Sequence, residues 1–390
     1  MNIIFYRYGS ICEPDMIAHF RGLNVDVYEL QEEMHNKQLR ASERVSLVSR
    51  AVENTKPVFV CSINFFPAVA DVCQIYGIPY VCWTVDSPVL ELFSRSILHK
   101  TNRIFLFDRA QYETFHPYNP DCIYHLPLAA YTERFDRVIE TITPKESADF
   151  AGDITFVGSL YSEKNPLQKA EDMPDYLRGF IDATIDSSLK VYGYNFMEDV
   201  LSDSMVAALK KCIPDYYQPA EAICDTDRYV AAHYYIGAQA AVAERVRTLN
   251  ALAQHFQVEL YTRSDTSPLV GVNVHGGVAT LTEMPKIFHL SKINLNMTIK
   301  PIQTGLPLRI FDIMGCGGFL MTNYQAELTE HFEIGTDLEA YSSLDELLEK
   351  CAFYLSHEEL RKQIALNGYH KVKEQHTYTN RILSMLRVMS

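Results

Sequence analysis

Short runs of consecutive apolar residues, separated by amphipathic stretches, recur along this chain and restrict its fold more than any other feature. In the N-terminal third they fall at 2–8, 25–29 (VDVYE), 57–62 (PVFVCS), 79–85 (PYVCWTV), 103–107 (RIFLF) and 123–128 (IYHLPL). A run without polar alternation reads as a strand covered on both faces. Strands separated by helices must run parallel, because only a crossover connection returns the chain to the same end of the sheet. After an acidic stretch at 140–152 the pattern restarts with DITFVGSLYSEKN, breaks into helical periods over 174–256, and resumes at 257–262, 270–274, 292–298 and 318–322. A charged amphipathic stretch, 357–389, closes the chain as one long helix. The pattern predicts an α/β protein of two Rossmann-like domains facing a cleft, with a helical insertion at about 165–250. The expected divisions are 1–146, 147–370 and a final helix, 371–390, that crosses back to the first domain.

The 390 residues agree with two domains at roughly 150 residues each. A net charge of −14 excludes a polyanionic partner such as a nucleic acid, whose binding depends on neutralising phosphates. Any phosphate must therefore be held locally. The nine cysteines form no C-x-x-C pair and mostly sit in apolar runs, which predicts buried thiols in a reducing compartment, without disulfides or zinc. No run of 18 apolar residues occurs. A cytoplasmic protein without a transmembrane segment is expected.

The stretch TGLPLRIFDIMGCGGFLMTN, 304–323, carries the most chemistry. Pro307 suits a first helical turn, where its missing N–H costs nothing. The N–H groups of Gly305 and Leu306, the positive end of the helix dipole and Arg309 one turn in then make an anion site suited to a phosphate. Asp312 shares a helix face with Arg309 and can accept hydrogen bonds from a vicinal diol. The same residues also fit an ordinary capped helix with a surface ion pair. In KINLNMT the asparagines alternate with apolar residues, so Asn296 either faces a ligand or caps a loop at a sheet edge.

In order along the chain, YGSICEPDMI, INFFPAVADVCQIYGIPYVCWTVDSP, YHLPLAAYTERFD, FVGSLYSEKN and EMPKIFHLSKINLNMT…TGLPLRIFDIMGCGGFLMTN resemble the GT-B glycosyltransferases, and among them the CgeB-like (spore maturation protein) family. The likeness spans nearly the whole chain and is weakest over 165–250. It implies a donor site for a nucleotide sugar in the C-terminal half. Gly158, Ser159, Lys164, Lys300 and Arg309 would hold the diphosphate, and Asp312 the ribose. Thr304 stands where many such enzymes carry a first glutamate, with the amides around Gly305 and Leu306 in its place. His275 would lie near the nucleobase, although His-Gly-Gly is also an ordinary turn, and Asn296 near the donor.

In the N-terminal half the resemblance places the Gly9-Ser10 turn beside the transferred sugar. No G-x-G-x-x-G occurs there, so a dinucleotide site is not expected. Asp86 follows a strand and fits either a general base for an acceptor hydroxyl or the N-cap of a helix at 88–95. Asp108 is a similar case. Glu13 and Asp15 read as helix-dipole partners, His19 as a packing or surface residue, and the tyrosines of the insertion as half-buried helix packing or an acceptor site. Asp225-x-Asp227 lies in the insertion, away from any strand end, and no metal constellation is found. The expected activity is metal- and cofactor-independent transfer of a hexosyl or N-acetylhexosaminyl group from a UDP-sugar to a hydroxyl of a protein or glycan. Asp86 and Arg309 would be catalytic, and homo-oligomerisation is left open. A sugar-nucleotide epimerase and a non-catalytic nucleotide-sugar-binding scaffold are the alternatives.

Overall fold

The structure, a computed structural model, describes residues 1–389, so Ser390 of the expected final segment lies outside the described residues. It resolves into two compact units. One comprises Met1–Leu128, residues 218–226 and the chain from Tyr378 onward; the other comprises Ala129–Tyr217 and Asp227–Thr377.

The first unit is built on a parallel sheet of β1 (Asn2–Tyr6), β2 (Asp26–Leu30), β3 (Val60–Ile63), β4 (Tyr80–Trp83), β5 (Asn102–Leu106) and β6 (Ile123–His125), in the order β2-β1-β3-β4-β5-β6. Its central strands VCSI and YVCW are buried at every position, and the polar Ser62 among them is hydrogen-bonded to the Tyr80 hydroxyl at 2.6 Å. The expected helix at 88–95 is replaced by two single turns, Leu90–Phe93 and Arg95–Leu98. Ser94 between them is extended and bridges to Ala222, while the Arg95 and Ile223 amides donate to the Glu221 and Phe93 carbonyls. Strand-like pairing with 221–223 therefore claims backbone groups that a helix would have used.

The second unit holds β7 (Gly152–Val157), β8 (Val258–Tyr261), β9 (Asn273–His275), β10 (Ser291–Asn296), β11 (Leu320–Asn323) and β12 (Glu339–Tyr341), all parallel, in the order β12-β11-β10-β7-β8-β9. Its core joins Ile154, Leu260, Ile293, Leu295 and Met321 of the strands to Leu249, Leu252, Leu347 and Ile364 of the covering helices. β9 starts later than the apolar run at 270–274, because Gly271 takes a left-handed φ of 75° and turns the chain there. β12 has no counterpart in the sequence reading. Between β7 and β8 lie the helices Asp175–Ser188 and Asp203–Cys212 and a long helix that passes from a π segment, Val230–Ile236, into Gly237–Ala253. The closing stretch is two helices, Glu358–Gln375 and Tyr378–Met389, not one. The break is at His376-Thr377, where the His376 carbonyl accepts from the Ala130 amide and Thr377 bridges to Ala130.

Candidate functional site

A parallel sheet opens a crevice where neighbouring strands send their following loops to opposite sides, and ligands of such folds bind there, at the carboxyl ends of the strands. In the second sheet β8 and β9 extend to one side of β7, and β10, β11 and β12 to the other. The switch point is therefore the β7/β10 pair, joined in register at Ile154–Ile293 and Thr155–Asn294. At that point lies a cavity of about 210 Å³. Gly158, Ser159, Tyr161 and Lys164 after β7 line it, as do Asn296, Thr298 and Ile299 at the end of β10, Pro307 and Arg309 at the start of the helix Leu308–Gly315, and Arg245.

Three cations thus converge on one hollow. Arg309 lies over the Phe288 ring at 5.2 Å, touches the Met284 sulfur and comes within 3.5 Å of Asp312, which is itself buried one turn deeper. Pro307 is the N-cap of this helix, one position earlier than a first-turn proline, and its carbonyl already accepts the Ile310 amide at 3.1 Å. Arg245, from the helix Gly237–Ala253, is only 8 % exposed. It donates to the carbonyls of Ser159 and of Met297 (3.0 Å), lies over the Tyr161 ring at 4.4 Å, and keeps a buried Nε with no hydrogen-bond acceptor. Burial pulls its guanidinium below the ordinary arginine value. A group held this way has lost most of its hydration before any ligand arrives, so an anion gains nearly the full interaction. Arg245 was not among the residues selected from the sequence.

The remaining expected residues separate. Gly158, Ser159, Lys164, Asn296 and Arg309 come together in this cavity. Both amide hydrogens of Asn296 go to the Thr298 and Thr322 hydroxyls, each at 2.9 Å, so it can offer a ligand only its carbonyl oxygen. Lys300 does not point here. Its Nζ donates to the Val191 carbonyl (2.8 Å) over the Tyr192 ring, and burial pulls its ammonium below the ordinary lysine value. Thr304 spends its hydroxyl on the Glu327 carboxylate at 2.8 Å. Gly305 and Leu306 are buried, and neither they nor Asp312 line the cavity. The Arg309–Asp312 pair makes Asp312 an orienting partner of the arginine. His275 sits outside the cavity on the β8/β9 side, stacked on Tyr261 at 4.5 Å and bonded to Glu259 at 2.6 Å.

The first sheet has its own switch point, between β1 and β3. Asn64, after β3, donates from one amide group to the Tyr8 hydroxyl (2.9 Å) and to Asp86 (2.6 Å), while its oxygen accepts the Val85 amide (2.9 Å). Asp86 is exposed and caps no helix; the short turn beyond it begins after Val89. Burial, with help from Asp86, pushes the Tyr8 phenol well above its ordinary range. Glu13 is fully buried and accepts the Tyr8 and Gly9 amides at 2.8 and 3.0 Å. The Gly9 N–H is therefore already spent, and the Gly9-Ser10 turn is shaped by Glu13 instead of waiting for a ligand. Asp108 is a helix cap, accepting the Ala110 amide at 3.1 Å. His19 stacks on Tyr378, and Asp227 pairs with Lys210 at 2.7 Å. Among the described residues no group of three or more metal-ligating side chains is found. No helix there is long and apolar enough to cross a membrane.

A larger hollow of about 690 Å³ exists in the second unit, lined by Asp136, His289, Cys316, Lys362, Leu366 and Tyr369 among others. It shares no residue with the switch-point cavity and brings no comparable set of cations together, so size alone does not mark the site.

Residues 241–387 match the family model described as glycosyl transferase-like. No curated protein shows a significant sequence match. Among solved structures, the chain is similar to Anabaena Alr3699/HepE in complex with UDP and glucose, at 11 % identity, with 100 % of both chains covered and a TM-score of 0.55. It is also similar to the sucrose-phosphate synthase of Thermosynechococcus elongatus, at 9 % identity over 100 % of this chain and 98 % of that one, with a TM-score of 0.56. The lipopolysaccharide outer core galactosyltransferase WaaB matches at 11 % identity over the whole of both chains, with a TM-score of 0.52. The two parallel six-stranded sheets with their helices are those of the GT-B glycosyltransferase fold.

Proposed function

We propose that this protein is a glycosyltransferase that moves a hexosyl or N-acetylhexosaminyl group from a UDP-sugar to a hydroxyl of a protein or glycan. The observation that carries this reading is the convergence of Lys164, Arg245 and Arg309 on a helix start at the switch point of the second sheet. Breaking a bond between sugar and diphosphate places growing negative charge on the departing phosphate oxygens. Preorganised donors in a half-buried hollow stabilise that charge without reorganising. Three cationic side chains can carry this task with no metal ion, which supports a metal-independent reaction. Asp312, beside Arg309, orients the guanidinium that meets the phosphate.

In the first unit, Asp86 is the general base of this proposal, held by Asn64 at a strand's carboxyl end with its carboxylate in solvent. The order of the motifs favours the CgeB-like branch, and eight buried cysteines, with Cys224 the one exposed, favour a reducing, cytoplasmic setting. The test is calorimetric binding of UDP, GDP, dTDP and CMP to the parent, Arg309→Ala and Asp312→Ala proteins. Micromolar UDP binding weakened by both substitutions, followed by transfer of sugar to an acceptor, is the expected result. Release of an isomerised sugar nucleotide would indicate an epimerase. If no nucleotide binds, the donor-site assignment fails.

A further inference from the structure

The insertion carries a second built cavity, of about 360 Å³, that the donor-site reading leaves unused. Tyr217, Tyr234 and Tyr235 line it together with Lys169, Glu171 and Asp215. Tyr217 and Tyr234 are half-buried and tilted toward one another with ring centroids 5.8 Å apart. Tyr235 behind them is 3 % exposed, stacks on Tyr216 at 4.9 Å and accepts the Tyr217 amide at 3.0 Å. Tyr235 thus anchors the Tyr217 backbone and packs edge-on against the Tyr234 ring at 5.1 Å. Both successive tyrosines that line the hollow lie on the π segment Val230–Ile236, a rare helix form that occurs frequently at functional sites.

The lining determines the ligand's chemistry. Aromatic faces want an apolar surface of ring size, whereas Glu171 and Asp215 want hydrogen-bond donors and Lys169 an acceptor. A hydrocarbon would use only the rings and leave the exposed Glu171 and Asp215 to water, and a polyanion would be repelled by them. A pyranose satisfies both demands, with C–H groups on its faces and hydroxyls around its edge. The location adds to this. Residues 158–164 border the donor cavity, and two residues past Lys164 the same segment, from Pro166, borders the tyrosine cavity. Asn165 between them is buried, bonded to Gln239 and capping the Leu167 amide at 3.2 Å.

We infer that the cavity bounded by Tyr217, Tyr234 and Tyr235 is a saccharide-binding site that holds a glycan chain beside the donor site. Saccharide binding stands on this cavity alone; that the glycan is the acceptor rests on the transferase reading.

The test titrates maltotriose, cellotriose, chitotriose and isomaltotriose into the full chain, with and without saturating UDP. Saturation-transfer NMR and calorimetry are the readouts, on the parent, Tyr217→Ala, Tyr234→Ala and Glu171→Ala proteins. At least one trisaccharide binds the parent, and each tyrosine substitution weakens it about tenfold, the loss of one ring-stacking contact. UDP affinity is unchanged in all variants. The Glu171 side chain is exposed, so Glu171→Ala folds and weakens the same trisaccharide even where a tyrosine variant does not fold. The inference is overturned if no trisaccharide binds the parent, or if binding survives within threefold in the variants. Trisaccharide binding without UDP binding would overturn the donor-site reading and keep this one.

Discussion

Replacing Arg245 with methionine is the sharpest test of the cationic cavity, because the new side chain keeps the unbranched apolar stem while removing the guanidinium that lies over Tyr161 and Phe156. The effect on folding is a balance. The Ser159 and Met297 carbonyls each lose a charge-assisted donor, at about 1–3 kcal/mol apiece, but the cost of desolvating a nearly buried guanidinium disappears with it. Arg245→Met therefore shifts stability by no more than about 2 kcal/mol. The effect on a bound diphosphate has no such offset. A unit charge about 4.5 Å away at an effective dielectric of about 20 contributes nearly 4 kcal/mol, and Lys164, Arg309 and entering water recover part of it. A loss of about 100-fold in UDP affinity is expected, equivalent to ~2.7 kcal/mol. Calorimetry with uridine, UMP and UDP on parent and variant, alongside thermal melts, reads this directly. The loss should grow with the number of phosphates and leave uridine unaffected. Equal losses for uridine and UDP would mean that Arg245 serves only the architecture. A folded variant binding UDP within threefold of the parent would remove Arg245 from the site.

Other features lead to measurable outcomes. A Cβ on Gly318 would lie 2.6 Å from the Phe288 carbonyl and 2.8 Å from the Asn294 amide, so Gly318→Ala costs about 2 kcal/mol and lowers the melting temperature of the second unit. Glu146 is bonded to Lys286 at 2.7 Å and to the Thr143 amide and hydroxyl, which hold its carboxyl down at about 2. A depressed carboxylate stabilises the fold above its unfolded pKa near 4.5, and that contribution is lost as the pH falls toward 2. NMR titration should place Glu146 in that low window in the parent and raise it in Lys286→Met. Arg381 donates to the Pro127 carbonyl at 2.7 Å and to that of Leu128 at 2.9 Å, and burial pulls its guanidinium down to about 10. Arg381→Met should raise hydrogen exchange throughout Tyr378–Met389 well above that of the β4 amides.

Eleven of the twelve strands were legible, the central ones because a strand covered on both faces leaves a run that is mostly apolar, as YVCW and the IFL of β5 do, although β2 and β9 are partly exposed. β12 was not, since it is the three residues EAY, buried partly through Glu339, whose carboxylate is satisfied by Lys350 and Tyr354. Periodicity cannot count a buried glutamate as apolar. The division of the last helix was hidden for a related reason. Nothing in QHTYT breaks a helical pattern, and the break comes from backbone pairing of His376 and Thr377 with Ala130, a residue far away in sequence. The lost helix at 88–95 has the same cause, because residues 221–223 supply the competing partner.

The site followed the same division between local and distant information. Gly158, Ser159 and Lys164 follow a strand end and Arg309 opens a helix after a proline, so they could be read as a group, whereas Arg245 arrives from 86 residues beyond Ser159 in the middle of a helix. A signal for it existed. In GAQAAVAERVRTLNALA the buried stripe runs through Ala240, Ala241, Glu244, Arg245, Thr248 and Leu249, so two adjacent charges occupy positions that the helical period assigns to the core. Buried charge is costly unless something answers it. Arg245 is answered by two carbonyls, and Glu244 by the nearby Lys300 and Arg245, which oppose the upward push of burial on its carboxyl. The two switch points are thus equipped with opposite chemistry: cations in the second sheet, and a carboxylate held by an amide beside a phenol in the first. Any transfer of a sugar to a hydroxyl needs a group to take up negative charge on the departing phosphate, and an inverting transfer needs a second to accept the proton of the attacking oxygen. A binding scaffold would need only the cations. Asn64→Ala separates these cases: it leaves UDP affinity untouched in either, and lowers turnover only if the carboxylate it positions takes part in the reaction.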